Sequence, residues 1–119
     1  MGSIGESYVV RVRLNSIRKD PIFDIDVLEL SALDGSFDLT LEFPRGLLRL
    51  SEGSEAEVSL SEEEGDGDIL MKGIVYKVDE SSKVAEVSFH GLLLRITYSK
   101  KPPFSLSQGS EVYLAMKFL

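Results

Sequence analysis

The densest group of side chains able to do chemistry is the acidic run over residues 62–68, which reads EEEGDGD. A calcium loop needs oxygen ligands at fixed offsets, a glycine at its turn and a closing bidentate Glu. Here Gly65 and Gly67 occupy positions that should alternate with ligands, and no Glu follows at the closing distance. Five acids in seven residues with interspersed glycine are more typical of a solvated loop. We therefore predict a flexible acidic loop over about 62–68 and no metal site, with weak divalent-cation binding as the alternative.

The other candidates for catalysis are isolated. Acid–base chemistry by a carboxylate pair needs two acids that converge in a pocket, whereas Asp24 and Asp26 share the polar face of a predicted strand. His90 is the one histidine, and no Ser, Cys or Asp motif accompanies it. The sequence has no Cys, and its glycines do not match a phosphate-binding loop. We therefore predict no catalytic, metal-binding or cofactor-binding residue, and the chain is not expected to be an enzyme by itself.

Length and charge restrict the class of protein further. The chain has 119 residues, a length that corresponds to one domain over 1–119. Its formal net charge is -7. Fifteen acids and two arginines give -13 over 20–68, while 1–19 and 69–119 each carry +3. A free-standing nucleic-acid-binding protein usually has a basic excess, because its affinity comes largely from neutralising phosphates. The longest apolar run has five residues, and Glu6 departs from the myristoylation pattern. We expect a soluble, cytoplasmic protein.

Apolar residues recur with period two through nearly the whole chain, as in half-buried strands. The stretch 37–43 is the clearest case, and Ile74, Tyr76 and Val78 are predicted to share an inward face in the same way. Within 23–30 the apolar residues switch from odd-numbered to even-numbered positions, which indicates a β-bulge or a sharp bend in that strand. About eight short strands with bent ones among them predict an all-β protein: a small closed or partly open Greek-key barrel of the OB type.

The last strands have apolar residues at consecutive positions, over 92–94 and 113–116, so both of their faces are apolar. Since a small barrel has one interior, their second face must be covered by the protein's own loops or form a docking surface for a partner. Both possibilities are open from the sequence.

The KKPPF loop at 100–104 is the one basic loop with an aromatic residue. Four other phenylalanines are predicted to lie in the core: Phe37, Phe43, Phe89 and Phe118.

These same strands resemble the small eighth subunit shared by eukaryotic nuclear RNA polymerases, a family that includes an archaeal counterpart. The middle block is the most specific, because the family shows Gly-Gly-Leu-Leu-Met-Arg where this chain has residues 90–95, HGLLLR. His90 in place of the first Gly raises the question of whether the backbone has a positive φ there. The resemblance is strong over about 69–119 and faint over 1–68. It is carried by three blocks: Lys72–Val78, His90–Ile96 and Tyr113–Lys117.

The resemblance implies an OB-type barrel that is a peripheral, non-catalytic subunit of a DNA-dependent RNA polymerase, of the archaeal kind. It implies docking on the largest catalytic subunit, with no cofactor and no direct contact with nucleic acid, membrane or a small-molecule substrate. The alternative function is a free-standing OB-type module that binds single-stranded nucleic acid. The residues expected at the partner interface are Gly91, Leu92, Leu93, Leu94, Arg95 and Tyr113.

Overall fold

The computed structural model describes residues 9–46 and 50–119, and in that part of the chain all regular structure is β-strand. The strands close into an antiparallel barrel in the order β1-β2-β3-β7-β6-β5-β8-β4. The prediction of an all-β barrel with about eight strands is confirmed, and the barrel is consistent with the OB type. The strands are β1 (Val9–Lys19), β2 (Ile25–Ala32), β3 (Phe37–Pro44), β4 (Glu55–Ser61), β5 (Ile69–Asp79), β6 (Val84–Phe89), β7 (Leu92–Tyr98) and β8 (Glu111–Phe118).

The barrel interior is filled by one parity of each strand, because successive side chains point to opposite faces. In β3 the side chains of Phe37, Leu39 and Leu41 are buried, as the alternation predicts. Phe37 and Phe89 lie in the core, while Phe43 and Phe118 are half-buried and pack against it. Among the described residues no helix is long and apolar enough to span a membrane.

Two long strands carry the bends that close the barrel. In β1, Leu14 pairs with Leu30 and Ser16 with Glu29, so Asn15 is the extra residue of a bulge. β1 pairs with β4 before this bulge and continues along β2 after it. The bulge predicted within 23–30 is therefore wrong in its position, since β2 pairs with β3 without a register shift. The second bulge lies in β5, between Val75 and Lys77, where β5 passes from β8 to β6.

The predicted inward face of β5 is wrong for Ile74 and Tyr76, whereas Val78, beyond the bulge, packs against the core as predicted. Val75 is buried, whereas Ile74 and Tyr76 point outward and are 49% and 42% exposed. The reason is Gly73, whose inward position is occupied by a neighbour: a Cβ built there would lie 2.6 Å from the Phe89 ring. Residues 69–76 contain apolar side chains on both parities. The two-residue periodicity could therefore not show which set of alternate residues faces the core.

The connection between β6 and β7 is a two-residue hairpin loop, with Phe89 paired to Leu92. His90 has φ of 55° and Gly91 has φ of 97°. Positive φ at both central residues is the pattern of a type I′ turn, whose twist suits antiparallel strands. His90 thus adopts a left-handed conformation, and histidine is among the residues enriched in that conformation.

The glycine-rich half of the predicted acidic loop at 62–68 packs along β8. The Asp68 N–H donates to the Met116 carbonyl at 2.8 Å, and the Asp68 carboxylate accepts from the Phe118 N–H at 2.8 Å. A Cβ on Gly67 would lie 2.6 Å from the Met116 carbonyl oxygen. The carboxylates of 62–64 remain exposed to water. The loop is therefore solvated through its side chains but attached to the barrel through its backbone.

Candidate docking surface

Strand alternation divides the predicted interface segment on β7 between two faces. Leu94 is 1% exposed and lies in the core, and Leu92 is half-buried and packs against the core from the same inward parity. Their side chains are therefore not part of the outer surface of the barrel. Leu93 and Arg95 point outward, and Gly91 is exposed in the turn. Of the five consecutive residues at 91–95, three are placed where a partner can reach them.

The two-sided apolar pattern of β8 has a different explanation. Ala115 points outward but is buried, because Gly65 of the acidic loop packs against it; a Cβ on Gly65 would lie 2.9 Å from the Ala115 Cβ. The protein's own loop therefore covers this part of β8. Tyr113, the next outward residue along the strand, is half-buried and lies beside Lys72, whose Nζ is 5.7 Å from the ring centroid.

Leu93, which is half-buried, shares an outer surface with apolar side chains on β5, two strands away. It pairs with Ser88 on β6, and Ser88 pairs with Ile74 on β5, so Ile74 and Leu93 lie in one cross-strand row. On β5, the outward residues Leu70, Ile74 and Tyr76 are substantially exposed, and Lys72 lies between Leu70 and Ile74. We call this surface the outer strip, made up of Leu70, Ile74, Tyr76 and Leu93.

The sequence interpretation did not find the β5 part of the outer strip. The signal was present, because 69–76 is apolar on both parities just as β7 and β8 are. The expectation that Ile74 and Tyr76 face the core left them out of the predicted interface. Tyr113, by contrast, lies on β8 and is separated from Leu93 by strands β5 and β6. The predicted interface residues thus occupy two places on one side of the barrel.

Charged side chains border the outer strip. Glu86 on β6 lies between Arg95 on β7 and Lys77 on β5, with N–O distances of 3.9 Å and 3.8 Å. Partial desolvation, and then the negative charge of Glu86, raises the pKa of the neighbouring Tyr76 phenol above its ordinary value of 10. Tyr76 therefore stays neutral over the physiological range. Exposed ion pairs of this kind contribute little to stability, but fixed charges around an apolar patch give a docking surface its orientation and specificity.

The β7 end of the outer strip is held by a side chain of β3. The Glu42 carboxylate accepts a hydrogen bond from the backbone N–H of Leu93 at 2.9 Å. β3 and β7 pair through backbone bonds only as far as Leu41 and Leu94, so Glu42 serves the first N–H beyond the ladder. The Leu93 backbone is thereby held in part by a residue 51 positions earlier in the chain.

Among the described residues, the side chains nearest to a catalytic group at this surface are His90 and its neighbours on β5 and β8. His90 lines a shallow cleft with Lys72, Ile74 and Glu111, and Lys72 pairs with Glu111 at 3.6 Å. Across 9–46 and 50–119, no group of three or more His, Cys, Asp or Glu side chains is placed to hold a metal ion. What the arrangement offers chemically is an apolar strip with a charged border, suited to contact with a protein.

The basic aromatic loop is not built for stacking on bases. Phe104 is 2% exposed, and its ring meets that of Phe37 edge-to-face, with centroids 6.2 Å apart. Single-stranded nucleic-acid binding by a barrel uses exposed aromatic faces beside lysines or arginines. Here the lysines at 100 and 101 are exposed, but the aromatic residue closes the core.

In comparisons with known proteins, no protein-family model matches the chain, and no curated protein matches it.

Proposed function

We propose that this chain is a non-catalytic subunit of a multisubunit DNA-dependent RNA polymerase, the archaeal counterpart of the small eighth subunit of the eukaryotic nuclear enzymes, acting in the cytoplasm. It docks on the largest catalytic subunit and supplies no catalytic residue and no cofactor. Two lines support the proposal. The three sequence blocks over 69–119 resemble that family, and the closed all-β barrel is the architecture that the resemblance implies.

The observation that carries the docking role is the outward position of Leu93 within the outer strip. Leu93 lies in the most family-like block, and Ile74 and Tyr76 extend the apolar surface around it. Fully burying one such side chain is worth about 1.5–3 kcal/mol, so covering the strip offers a partner substantial free energy. Tyr and Arg are enriched in the energetically dominant parts of protein interfaces, and Tyr76 and Arg95 occupy those roles here.

The test is incorporation into RNA polymerase assembled from separately purified subunits of the source organism without this chain. The wild-type chain is expected to co-elute with the assembled enzyme in size-exclusion chromatography, in a stoichiometric amount. Leu93→Asp is expected to abolish co-elution, because it places a charge in the apolar strip. Val9→Asp is the matched control: Val9 is an exposed aliphatic residue on β1, on the opposite side of the barrel. Failure of the wild-type chain to co-elute, or equal loss in both variants, contradicts the proposal.

The alternative, a free-standing nucleic-acid-binding module, predicts a different result. Such a protein would bind fluorescently labelled single-stranded DNA or RNA with micromolar affinity at moderate salt, and would lose affinity as salt rises. The net charge of -7 and the buried Phe104 argue against this behaviour. We expect no binding in an anisotropy titration, and salt-sensitive micromolar binding would favour the alternative.

A further inference from the structure

A small cavity lies where the acidic loop meets the outer strip. Its volume is about 200 Å³, and Leu70 of the outer strip lines it together with Tyr113 on β8. The acidic loop contributes Glu64 and Gly65 to the lining, and β5 contributes Lys72. We call this space the Tyr113 cavity. An aromatic ring, an aliphatic side chain and a carboxylate thus face one small space.

The backbone on both sides of Glu64 is held in place. Before Glu64, the Ser61 hydroxyl accepts a hydrogen bond from the Glu63 N–H at 3.3 Å and donates one to the Glu63 carbonyl at 3.0 Å. After it, Gly65 packs against β8, where a Cβ on Gly65 would lie 2.9 Å from the Ala115 Cβ. A ligand that binds Glu64 therefore orders little further chain, which reduces the entropy lost on binding.

A cation already lies at the aromatic side of the Tyr113 cavity. The Lys72 Nζ is 5.7 Å from the centroid of the Tyr113 ring, within the range of a cation–π contact. The same Nζ is 3.6 Å from a carboxylate oxygen of Glu111. Lys72 is exposed, so an incoming cation can replace it at the ring while Lys72 keeps its ion pair with Glu111. The position beside the ring therefore suits a positive charge.

The charges nearest to the Tyr113 cavity are unequal in sign. The exposed carboxylates of the loop that take part in no ion pair within the described part of the chain are Glu62, Glu63, Glu64 and Asp66. Lys72 is balanced by Glu111. Lys117 on β8 and Asp68 at the end of the loop add one charge of each sign. The four loop carboxylates therefore remain as a negative excess.

The charges farther out do not cancel this excess. Arg11 on β1 and Glu57 on β4 pair with each other at 3.4 Å. His90 lines the adjoining cleft and adds at most one positive charge. A ligand of the Tyr113 cavity is therefore expected to be positively charged, because opposite potentials favour association.

The lining favours arginine among positively charged side chains. A guanidinium is planar, stacks on aromatic rings and is less strongly hydrated than an ammonium, so it enters a half-buried site more readily. The methylene stem of an arginine covers apolar surface, and Leu70 offers such a surface beside Tyr113. The N–H groups of a guanidinium also match a carboxylate in geometry, and Glu64 supplies that carboxylate.

We propose that the Tyr113 cavity binds an arginine side chain from a basic segment of the protein on which this chain docks. The guanidinium lies against the Tyr113 ring and the Glu64 carboxylate, and the arginine stem lies along Leu70. This inference rests on the proposed docking function and specifies the chemistry of the partner beside the outer strip. The negative excess opposes contact with nucleic-acid phosphates or an anionic lipid surface at this place.

The first experiment titrates the full chain into two fluorescein-labelled peptides, identical except that one carries three arginines and the other three lysines. The arginine peptide is expected to bind at least about threefold more tightly in fluorescence anisotropy, because the guanidinium stacks on the Tyr113 ring. Tyr113→Leu should remove this preference, and Tyr76→Leu, at the exposed tyrosine of the outer strip, should keep it. Equal affinity of the wild-type chain for both peptides, or no binding of either, overturns the proposal.

The carboxylate is tested with the same arginine peptide. Glu64→Gln keeps the size of the side chain and is expected to weaken binding by up to about fivefold, the upper range for a partly exposed ion pair. Glu80→Gln is the matched control, since it removes the same charge from an exposed residue beyond the far end of β5. Equal losses in the two variants would mean that the peptide responds to net charge alone, which overturns the proposal.

Lys72 provides a test in the opposite direction. Lys72→Met frees the ring from the resident ammonium and is expected to tighten binding of the arginine peptide about threefold. Lys77→Met removes the same charge from the same strand, at a lysine that pairs with Glu86, and should have a smaller effect. Weaker binding by Lys72→Met than by the wild-type chain contradicts the proposed position of the guanidinium.

The final experiment measures the affinity of each labelled chain for RNA polymerase assembled without it. Glu64→Gln should bind more weakly than wild type, and Glu80→Gln should bind as wild type does. If both variants bind as tightly as wild type, the arginine proposal is overturned while the docking function stands. If the peptide results are as expected but the wild-type chain does not bind the polymerase, the proposed docking function is overturned. Thermal unfolding of each variant establishes that it is folded.

Discussion

The Glu42 carboxylate receives the Leu93 N–H at 2.9 Å, just where the backbone ladder between β3 and β7 ends. This bond joins the acidic N-terminal half of the chain to β7. It also holds the start of β7 against β3, where Leu93 points outward by strand alternation. The proposed docking surface therefore depends on both halves of the chain.

Removing this acceptor should loosen the start of β7. Glu42→Ala is expected to lower the free energy of unfolding by about 1 kcal/mol, the usual net contribution of one hydrogen bond. Glu42→Gln keeps a carbonyl acceptor and should lose less. Urea denaturation measures the stability, and NMR hydrogen exchange should show a faster Leu93 amide in the Ala variant. An unchanged Leu93 exchange rate in Glu42→Ala would contradict this role, and Thr40→Ala on the same strand is the control.

Leu93 and Leu94 should respond in opposite ways to truncation. Leu94→Ala removes a core side chain and is expected to cost about 3 kcal/mol of stability. Leu93→Ala is expected to cost less than about 1 kcal/mol, but to weaken binding to the polymerase about tenfold. Chemical denaturation and the incorporation assay give the two readouts. Equal stability losses in the two variants would show that the assignment of faces on β7 is wrong.

Gly73 should not tolerate a side chain. A Cβ there would lie 2.4 Å from the Ser88 carbonyl oxygen and 2.6 Å from the Phe89 ring, and the carbonyl belongs to the paired strand β6. Gly73→Ala is therefore expected to cost about 3 kcal/mol, at the upper end of typical overpacking. Gly91→Ala is the comparison, because nothing lies within 4 Å of its Cβ position. Its cost of about 1 kcal/mol comes from the positive φ alone. Equal midpoints for Gly73→Ala and wild type in urea would refute the close approach.

Phe104 should behave as a core residue and not as a base-stacking one. Its burial against Phe37 predicts that Phe104→Ala loses about 3 kcal/mol of stability or more. We expect no single-stranded DNA binding by either the wild-type chain or this variant. Guanidinium denaturation and fluorescence anisotropy test the two statements. A stable Phe104→Ala variant would mean that the loop does not close the barrel end.

The turn after β5 should contribute to the pH dependence of stability. Hydrogen bonds from Ser81, its side chain first, and from Ser82 lower the pKa of Asp79 from 3.8 to about 2. Because the folded pKa lies below the unfolded one, this contribution is present above about pH 4 and is lost as the pH falls toward 2.

The carboxyl chemical shift of Asp79 in an NMR titration should therefore have its midpoint near 2. Ser81→Ala removes the largest cause and should move the midpoint upward, toward 3.8. A wild-type midpoint already at 3.8 would contradict the turn geometry. Asp79→Asn should make stability less sensitive to pH over the acid range, which denaturation at several pH values would measure.

Much of this fold follows from local pattern alone. Strict alternation over 37–43 specifies β3 and its buried face, because side chains on a strand point alternately to its two sides. The rhythm of about eight strands follows in the same way, whereas the turn at His90-Gly91 is known from the structure. The alternation also divides Leu93 from Leu94, so the Leu93 part of the outer strip could be predicted from the sequence once the strand was placed.

Where both faces of a strand are apolar, the tertiary structure decided which face is buried. Ile74 and Val75 are both aliphatic, and the packing of Phe89 on Gly73 selects Val75 for the core. Ala115 and Leu93 are both outward apolar residues, yet the loop at 62–68 covers Ala115 and leaves the outer strip on the surface. The sequence by itself determined the strands and only part of the apolar residues on the outer surface. Contacts between residues far apart in the chain decided which side chains are buried and which stay on the surface, because burial depends on neighbours that no local pattern contains.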